Sequence, residues 1–220
     1  GKVAISPGPV LASADVFRIV VGGEGGHGAA PHRSSDVIMA ACHMVTAFQT
    51  VVSRSVNPID TAVVSVGQFR AGEAPNVLPD RAELRGTIRT YAADVRELVV
   101  KRIQEIGQGI AASMGVRFSF ELTYSTPATV TDAGVVKLVQ GVAREMFGSE
   151  NVVSDHRTMS SEDMGLILER VPGCYIFLGS NNAERGLDFP HHHPQFDFDE
   201  AAMPVGAELL ARAAIRCLEA

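Results

Sequence analysis

Histidines stand in two unusual settings in this sequence, and both settings could carry chemistry. His27 lies in the run GGEGGHGAAPH, among closely spaced glycines and near His32. Glycines let a backbone run close to a ligand, and an imidazole beside them can donate a hydrogen bond to it. The first setting is therefore compatible with a flexible loop that presents His27 to a ligand, although for a lone histidine we favour a simpler interpretation. The simpler alternative is a glycine turn with exposed histidines.

The same run contains a G-x-G-x-x-G pattern at Gly23, Gly25 and Gly28. In a dinucleotide-binding fold, such glycines join a strand directly to a helix, and an acidic residue follows about 20 positions later. Here Pro31 interrupts the turn, helical spacing begins only near Ser35, and the segment CHMVTAFQT carries no acid. We therefore reject a dinucleotide site.

The second setting is FPHHHPQFDFDE, where His191, His192 and His193 follow a strand-like apolar run. Such histidines could supply a metal ligand at the carboxyl end of a sheet. A zinc site needs three or four protein ligands, and the sequence has no H-x-D, H-E-x-x-H or C-x-x-C pattern to supply the others. If these histidines bind a metal, we expect most of its ligands to lie outside this chain.

Three further polar sites are candidates: Asn76 in EAPNVLPD, Arg89 in GTIRTY, and the pair Glu162 and Asp163 in MSSEDMG. Arg89 lies on a predicted strand whose alternate positions are apolar, so an ordinary surface charge is the simple interpretation. Glu162 and Asp163 stand at a predicted helix start, where the helix dipole alone favours acids. We prefer that structural interpretation for the pair.

The overall composition excludes several functional classes. A hydrophobic content of 46% with 20% charged residues is typical of a globular protein with a real core. A net charge of −6 without a basic run argues against a nucleic-acid partner. No run approaches the roughly 18 apolar residues of a membrane span, and the start of the chain lacks a signal-peptide pattern. Three widely spaced cysteines fit a reducing compartment, so we predict a cytoplasmic protein.

The elements that must position these residues form two parts of an α/β fold. Residues 14–124 show strand alternation and helical spacing in the order β-α-β-β-α-β, with the first helix capped by Ser34 or Ser35. This order predicts a ferredoxin-like unit, an antiparallel sheet with two helices on one face. Later helices (132–147, from 160 or 161, and 200–218) alternate with short apolar strands (151–154 and 171–179), which predicts a parallel α/β layer. Together with the isolated KVAISPGPV segment, this part is incomplete as a fold.

An ordered set of motifs runs along the chain: FRIVVGGEGGHGAAPH, VSR-x-x-x-P, NVLPD, GTIRT, SSEDM, VPG and HHPQFDFDE. This set resembles the M20 family of metal-dependent amidohydrolases and peptidases, especially its aminoacylase, hippurate hydrolase and indole-acetyl-amino-acid hydrolase branch. The motifs occur in the family's order and cover essentially the whole chain.

The resemblance implies a domain organisation. Residues 1–13 end an N-terminal segment of a zinc-peptidase-like catalytic domain, residues 14–124 form a ferredoxin-like lid and dimerisation domain, and residues 125–220 form the C-terminal part of the catalytic domain. The N-terminal part, which in the family carries most metal ligands and the general base, is expected to be missing here. We therefore expect this chain alone to be inactive.

The resemblance also implies roles for single residues. His192 maps onto a metal ligand by its distance to the P-x-F-x-x-x-E run, and two divalent ions (zinc, manganese or cobalt) would activate a water for amide hydrolysis. His27 would stabilise the oxyanion when the lid closes, with the glycines making room for substrate around it. Asn76 and Arg89 would hold the substrate's carboxylate.

The implied substrates are N-acyl amino acids or small peptide-like molecules, and the implied assembly is a homodimer that pairs through residues 35–52 and the adjacent edge strand. Whether His27 then serves its own or its partner's active site stays open. The alternative is a non-catalytic, truncated chain that acts as a dimerisation or binding module.

Overall fold

The computed structural model describes residues 1–219, which form two compact units. We call Leu11–Ala128 together with Met159–Asp163 the central unit, and Gly1–Val10, Thr129–Thr158 and residues 164–219 the terminal unit. The strands are β1 Val3–Ala4, β2 Gly8–Leu11, β3 Ala14–Gly22, β4 Gly26–His27, β5 Ala62–Ala71, β6 Val77–Leu78, β7 Arg81–Thr90, β8 Arg117–Thr126, β9 Thr129–Thr131, β10 Val152–Val153 and β11 Phe177–Leu178. The α-helices are α1 Val37–Ser55, α2 Ala93–Met114, α3 Ala133–Phe147, α4 Met164–Leu168 and α5 Ala202–Leu218.

The central unit is built on a four-stranded sheet with the order β5-β7-β3-β8, in which all neighbours are antiparallel. Along the chain its six main elements follow as β3, α1, β5, β7, α2 and β8. Alternation places apolar side chains on one face, where Phe17, Ile19, Leu84 and Ile88 are fully buried in a core shared with α1 and α2. The opposite face carries charged side chains.

That charged face contains a compact ion-pair cluster around Glu83. Its carboxylate accepts hydrogen bonds from Arg18 at 2.9 Å, Arg81 at 2.7 Å and Arg85 at 2.8 Å. The three guanidinium groups lower the pKa of Glu83 well below its usual value, first through the Arg18 hydrogen bond. The cluster covers this side of the sheet with paired charges.

Helix α1 is a core helix of the central unit. By length and mean hydropathy (1.2) it is also apolar enough to cross a membrane. However, Ala40, Ala41, Met44 and Phe48 are fully buried against the sheet. The helix is capped by Asp36, whose Oδ1 accepts from the Met39 amide at 2.9 Å, and not by Ser34 or Ser35 as the sequence suggested. A carboxylate at this position also complements the helix dipole.

A buried carboxylate lies at the end of the central sheet where β3 begins. Asp15 is fully buried and accepts two hydrogen bonds of 2.7 Å from the Arg96 guanidinium at the start of α2. The Ser125 hydroxyl donates to the same carboxylate at 2.7 Å. This network ties α2 to the first residues of β3 and the last residues of β8.

The terminal unit has a mixed sheet, which corrects the expected parallel layer. Its order is β10-β1-β11, with β1 parallel to β10 and antiparallel to β11. The central strand is β1. Because β1 is remote in sequence from both partner strands, no local sequence pattern indicates whether each pair is parallel or antiparallel. Helices α3 and α5 bury Val136, Val139 and Leu209 against this sheet.

Two other sequence predictions for the terminal unit were wrong in extent. The apolar run 171–179 contains only the two-residue strand β11, and β10 is equally short. Helix α4 begins at Met164 and not at Ser160 or Ser161, so Glu162 and Asp163 precede its first turn. Residues 159–163 instead belong to the central unit.

Candidate functional site

His27 and Asn76 are brought together at one end of the central sheet. Strand β4 pairs with β6 so that His27 lies opposite Val77, and the Gly28 amide donates to the Asn76 carbonyl at 2.9 Å. The Gly23 amide donates to the Asp80 carbonyl at 2.8 Å. We call this pair of loops the tip of the central unit.

The glycines of the His27 loop are required by the close approach of these two loops. A Cβ atom at Gly25 would lie 2.8 Å from the Leu78 carbonyl oxygen, and one at Gly28 would lie 3.1 Å from the Asn76 carbonyl oxygen. Side chains at these positions would separate the loops. The glycines thus allow the backbone segments that carry His27 and Asn76 to lie close together. That they also make room for a substrate remains a prediction.

The imidazole of His27 is exposed and oriented by its own loop. Its Nδ1 accepts a hydrogen bond from the Ala29 amide at 3.0 Å. In a neutral imidazole, one nitrogen accepts and the other carries the proton. The contact therefore leaves the proton on Nε2, which can donate to a ligand at the tip.

Arg89 has a different environment near the other end of β7. Its Nη1 donates to the Ser161 hydroxyl at 2.6 Å. The next residue, Thr90, is buried and held by two hydrogen bonds to Ser13. Its amide donates to Ser13 Oγ at 3.1 Å, and the hydroxyls of Thr90 and Ser13 lie 3.0 Å apart. The backbone that carries Arg89 is thereby fixed.

Arg89 also differs from the other half-buried arginines of the described residues in having no carboxylate partner among them. Within residues 1–219 it forms no ion pair, although it is half-buried. The other half-buried arginines (Arg18, Arg96 and Arg102) each pair with a carboxylate of the chain. A partly desolvated guanidinium favours an anion, so Arg89 is suited to bind an external carboxylate.

The tip and Arg89 are too far apart to share one small ligand within this unit. Strand β7 runs from Arg81, next to the tip, to Thr90. At roughly 3.3 Å per residue, Arg81 and Arg89 are about 26 Å apart, whereas an N-acyl amino acid extends about 10 Å. The structure thus brings Asn76 to His27 and does not bring Asn76 to Arg89.

In the terminal unit, the three consecutive histidines have distinct environments. His193 stacks on Phe189 with ring centroids 4.5 Å apart, and the ring of His191 meets the edge of Phe196 at 4.8 Å. His192 has no such partner in the part of the chain that the structure describes, and its side chain is exposed.

The backbone of His192 is also exceptional. Its φ is +68°, the only positive φ at a non-glycine position among residues 1–219. A left-handed backbone is unfavourable for most L-residues and is found where the surrounding structure imposes it, commonly at functional sites. The turn therefore presents one free imidazole between two that are held by aromatic rings.

His192 suits a metal by its chemistry, but the described residues do not complete a metal centre. Nowhere in residues 1–219 do three His, Cys, Asp or Glu side chains lie together in a way that could hold a metal ion. A catalytic zinc site needs three protein ligands. We therefore derive no reaction step through a metal ion.

The comparisons with known proteins agree on one family. Residues 3–216 match peptidase family M20/M25/M40. The chain is 34% identical to hippurate hydrolase of Campylobacter jejuni, covering 99% of this chain and 56% of that protein. It is also 34% identical to N-acetylcysteine deacetylase of Bacillus subtilis, covering 100% of this chain and 56% of that protein. The chain thus spans about half the length of the curated relatives it matches.

A solved structure supports the same relationship. The B. subtilis YXEP protein, described as a dinuclear metal-binding peptidase of the M20 family, superposes with a TM-score of 0.80 at 28% identity. The match covers 99% of this chain and 53% of that one. The mixed α/β fold is therefore shared with that peptidase.

Proposed function

This chain belongs to peptidase family M20/M25/M40, and from that premise we propose that the whole protein hydrolyses the amide bond of N-acyl amino acids or small peptide-like molecules. By the whole protein we mean this chain with any further sequence that its gene encodes. The observation that carries the proposal is Arg89, a half-buried guanidinium without a carboxylate partner within residues 1–219. Hippurate and N-acetylcysteine, after which two relatives are named, both have a free carboxylate.

The roles of the substrate-binding residues follow from their positions. Arg89 binds the carboxylate through its planar fork. His27 donates from Nε2 to the oxygen that becomes negative when the amide carbon is attacked, and a preorganised donor of this kind lowers the barrier to hydrolysis. Asn76, held beside His27 by the loop contacts, binds the substrate near the same carbonyl group.

The part of the central unit that comprises residues 14–124 serves as the lid. Its strand order β8-β3-β7-β5 with two helices on one face supports a ferredoxin-like domain, for which residues 14–124 are the proposed bounds. Residues 1–13 and 125–220 belong to the catalytic domain under this proposal. Closure by a hinge near Ser13 and Ser125 would deliver the lid residues to the substrate.

His192 provides one ligand to a pair of divalent ions, for which zinc, manganese and cobalt are candidates. Its free imidazole and left-handed backbone support this role. When bound, such ions supply a water whose pKa is lowered toward neutrality.

The separation of Arg89 from the tip supports a proposal that they serve different active sites. Because about 26 Å of β7 lies between them, one substrate cannot contact Arg89 and His27 of the same chain. In a two-fold dimer, the tip of one lid can reach the substrate held by Arg89 of its partner. We place the seam at residues 35–52 and β5, since β5 is an edge strand of the central sheet. His27 and Asn76 then act in trans.

A cytoplasmic location is also part of the proposal. Cys42, Cys174 and Cys217 are all free thiols, as is usual in a reducing compartment.

The function is tested by assaying the whole protein with hippurate and a panel of N-acetyl amino acids, with and without a chelator. We expect hydrolysis that the chelator abolishes and added divalent metal restores. Carboxamide analogues of the same substrates should react much more slowly. A metal-loaded protein that forms dimers but hydrolyses none of these substrates would instead support the non-catalytic alternative.

A further inference from the structure

We propose that Ser161 is a second substrate-binding residue, which donates its hydroxyl proton to the same carboxylate that Arg89 binds. The inference rests on the proposed function, because it concerns the carboxylate of that substrate. In the sequence, Ser161 stands beside the two acids of the SSEDM motif and has no pattern of its own that points to substrate binding.

The argument begins with the direction of the Arg89–Ser161 hydrogen bond. A guanidinium has five N–H donors and no acceptor. In the 2.6 Å contact, Arg89 Nη1 is therefore the donor and Ser161 Oγ the acceptor. The hydroxyl proton of Ser161 cannot point at Arg89 and must find another acceptor.

No described residue provides that acceptor. The contact with Arg89 is the only hydrogen bond that Ser161 forms within residues 1–219, and Ser161 is half-buried. On the Arg89 side, Nε and Nη2 likewise have no partner in this part of the chain. The pair thus offers the N–H donors of an arginine fork and one O–H donor next to them.

This donor set matches a carboxylate. A carboxylate accepts at two oxygens with about four lone-pair sites, so it can receive the fork and still accept from a neighbouring hydroxyl. Ser161 also holds Nη1 in place before the substrate arrives, which reduces the entropy lost on binding. A carboxamide carries no charge and has an N–H₂ donor in place of one acceptor oxygen, so it can use only part of this donor set.

The test compares Ser161→Ala, Ser161→Thr and Arg89→Ala in the whole protein. Substrates are an N-acyl amino acid and its carboxamide. We expect Ser161→Ala to raise KM for the carboxylate substrate on the order of ten-fold, the usual effect of losing one hydrogen bond to a charged group. Its kcat and its KM for the carboxamide should change little. Ser161→Thr, which keeps the hydroxyl, should restore most of the affinity.

Two controls separate a binding role from a structural one. Ser119→Ala, an exposed serine on β8, should change no kinetic constant. In an Arg89→Ala background, Ser161→Ala should cause little further loss, because both residues act on one carboxylate. Equal effects of Ser161→Ala on both substrates, or no effect where Arg89→Ala is selective for the carboxylate, would overturn the inference.

Failure of the proposed function would be recognised separately. If the whole protein hydrolyses no N-acyl amino acid, the proposed function falls, and calorimetric titration with N-acetylglycine still tests Ser161. Weaker binding to Ser161→Ala than to the unaltered protein, with normal binding to Ser161→Thr, supports the site. Unchanged binding to Ser161→Ala contradicts it.

Discussion

Replacing Arg96 with alanine should destabilise the central unit strongly, because it leaves a buried charge without its partner. Asp15 is fully buried and receives both of its Arg96 hydrogen bonds at 2.7 Å. Removing one member of a buried ion pair typically costs 3–5 kcal/mol. The Arg96 side chain is 30% exposed and Ser125 still donates to Asp15, so we expect a loss near the lower limit, about 3 kcal/mol. For a chain of this length, that corresponds to a fall in Tm of roughly 6–12 °C.

The assay is urea unfolding of the chain, followed by circular dichroism. Arg102→Ala on the same helix is the matched control. Its ion pair with Glu105 is more exposed than the Arg96–Asp15 pair and should contribute less than about 1 kcal/mol to the free energy of unfolding. Adding Asp15→Asn to Arg96→Ala removes the unpaired charge and should recover part of the stability. If Asp15→Asn lowers the free energy of unfolding as much in the Arg96→Ala variant as it does in the unaltered chain, the reasoning is refuted.

Three further predictions address metal binding, packing and pH. His192→Ala in the whole protein should lower the metal content measured by plasma mass spectrometry, whereas His191→Ala should not; equal losses would contradict the assignment. Gly86→Ala should lower the free energy of unfolding by at least about 2 kcal/mol, because its Cβ would lie 2.1 Å from the Ser65 carbonyl oxygen; an unchanged urea midpoint would argue against this packing. The lowered pKa of Glu83 means that its contribution to stability is complete above about pH 4.3 and is lost as the pH falls through the lower folded-state pKa. Glu83→Gln should therefore flatten the dependence of stability on pH below about 4.3, and an unchanged slope in urea titrations would contradict it.

The elements of the central unit could be predicted from sequence because each has a strong local period. Strand β3 begins at Ala14, where the predicted unit 14–124 begins, and α2 ends where Gly115 adopts φ +65°. The short strands β10 and β11 were mispredicted in extent, since two paired residues leave no period to detect. Local patterns therefore identified the elements of one unit better than those of the other.

The candidate site was harder to predict, because distances between residues depend on pairing. The sequence grouped Asn76 with Arg89, whereas the pairing of β4 with β6 groups Asn76 with His27. Ser161 became a candidate only through its contact with Arg89, 72 residues away in sequence. The resemblance singled out His192 by its distance to the P-x-F-x-x-x-E run, whereas its left-handed backbone and the ring contacts of its neighbours are visible only in the structure.

Subunit complementation tests the central claim most directly. Whole-protein subunits with His27→Ala are mixed with subunits with His192→Ala, each inactive alone, and mixed dimers are isolated by two different affinity tags. If His27 acts in trans, one of the two sites in each mixed dimer has both histidines, so about half of the unaltered activity should return. Absence of activity in a confirmed mixed dimer would place His27 and His192 in the same chain's site and contradict the account.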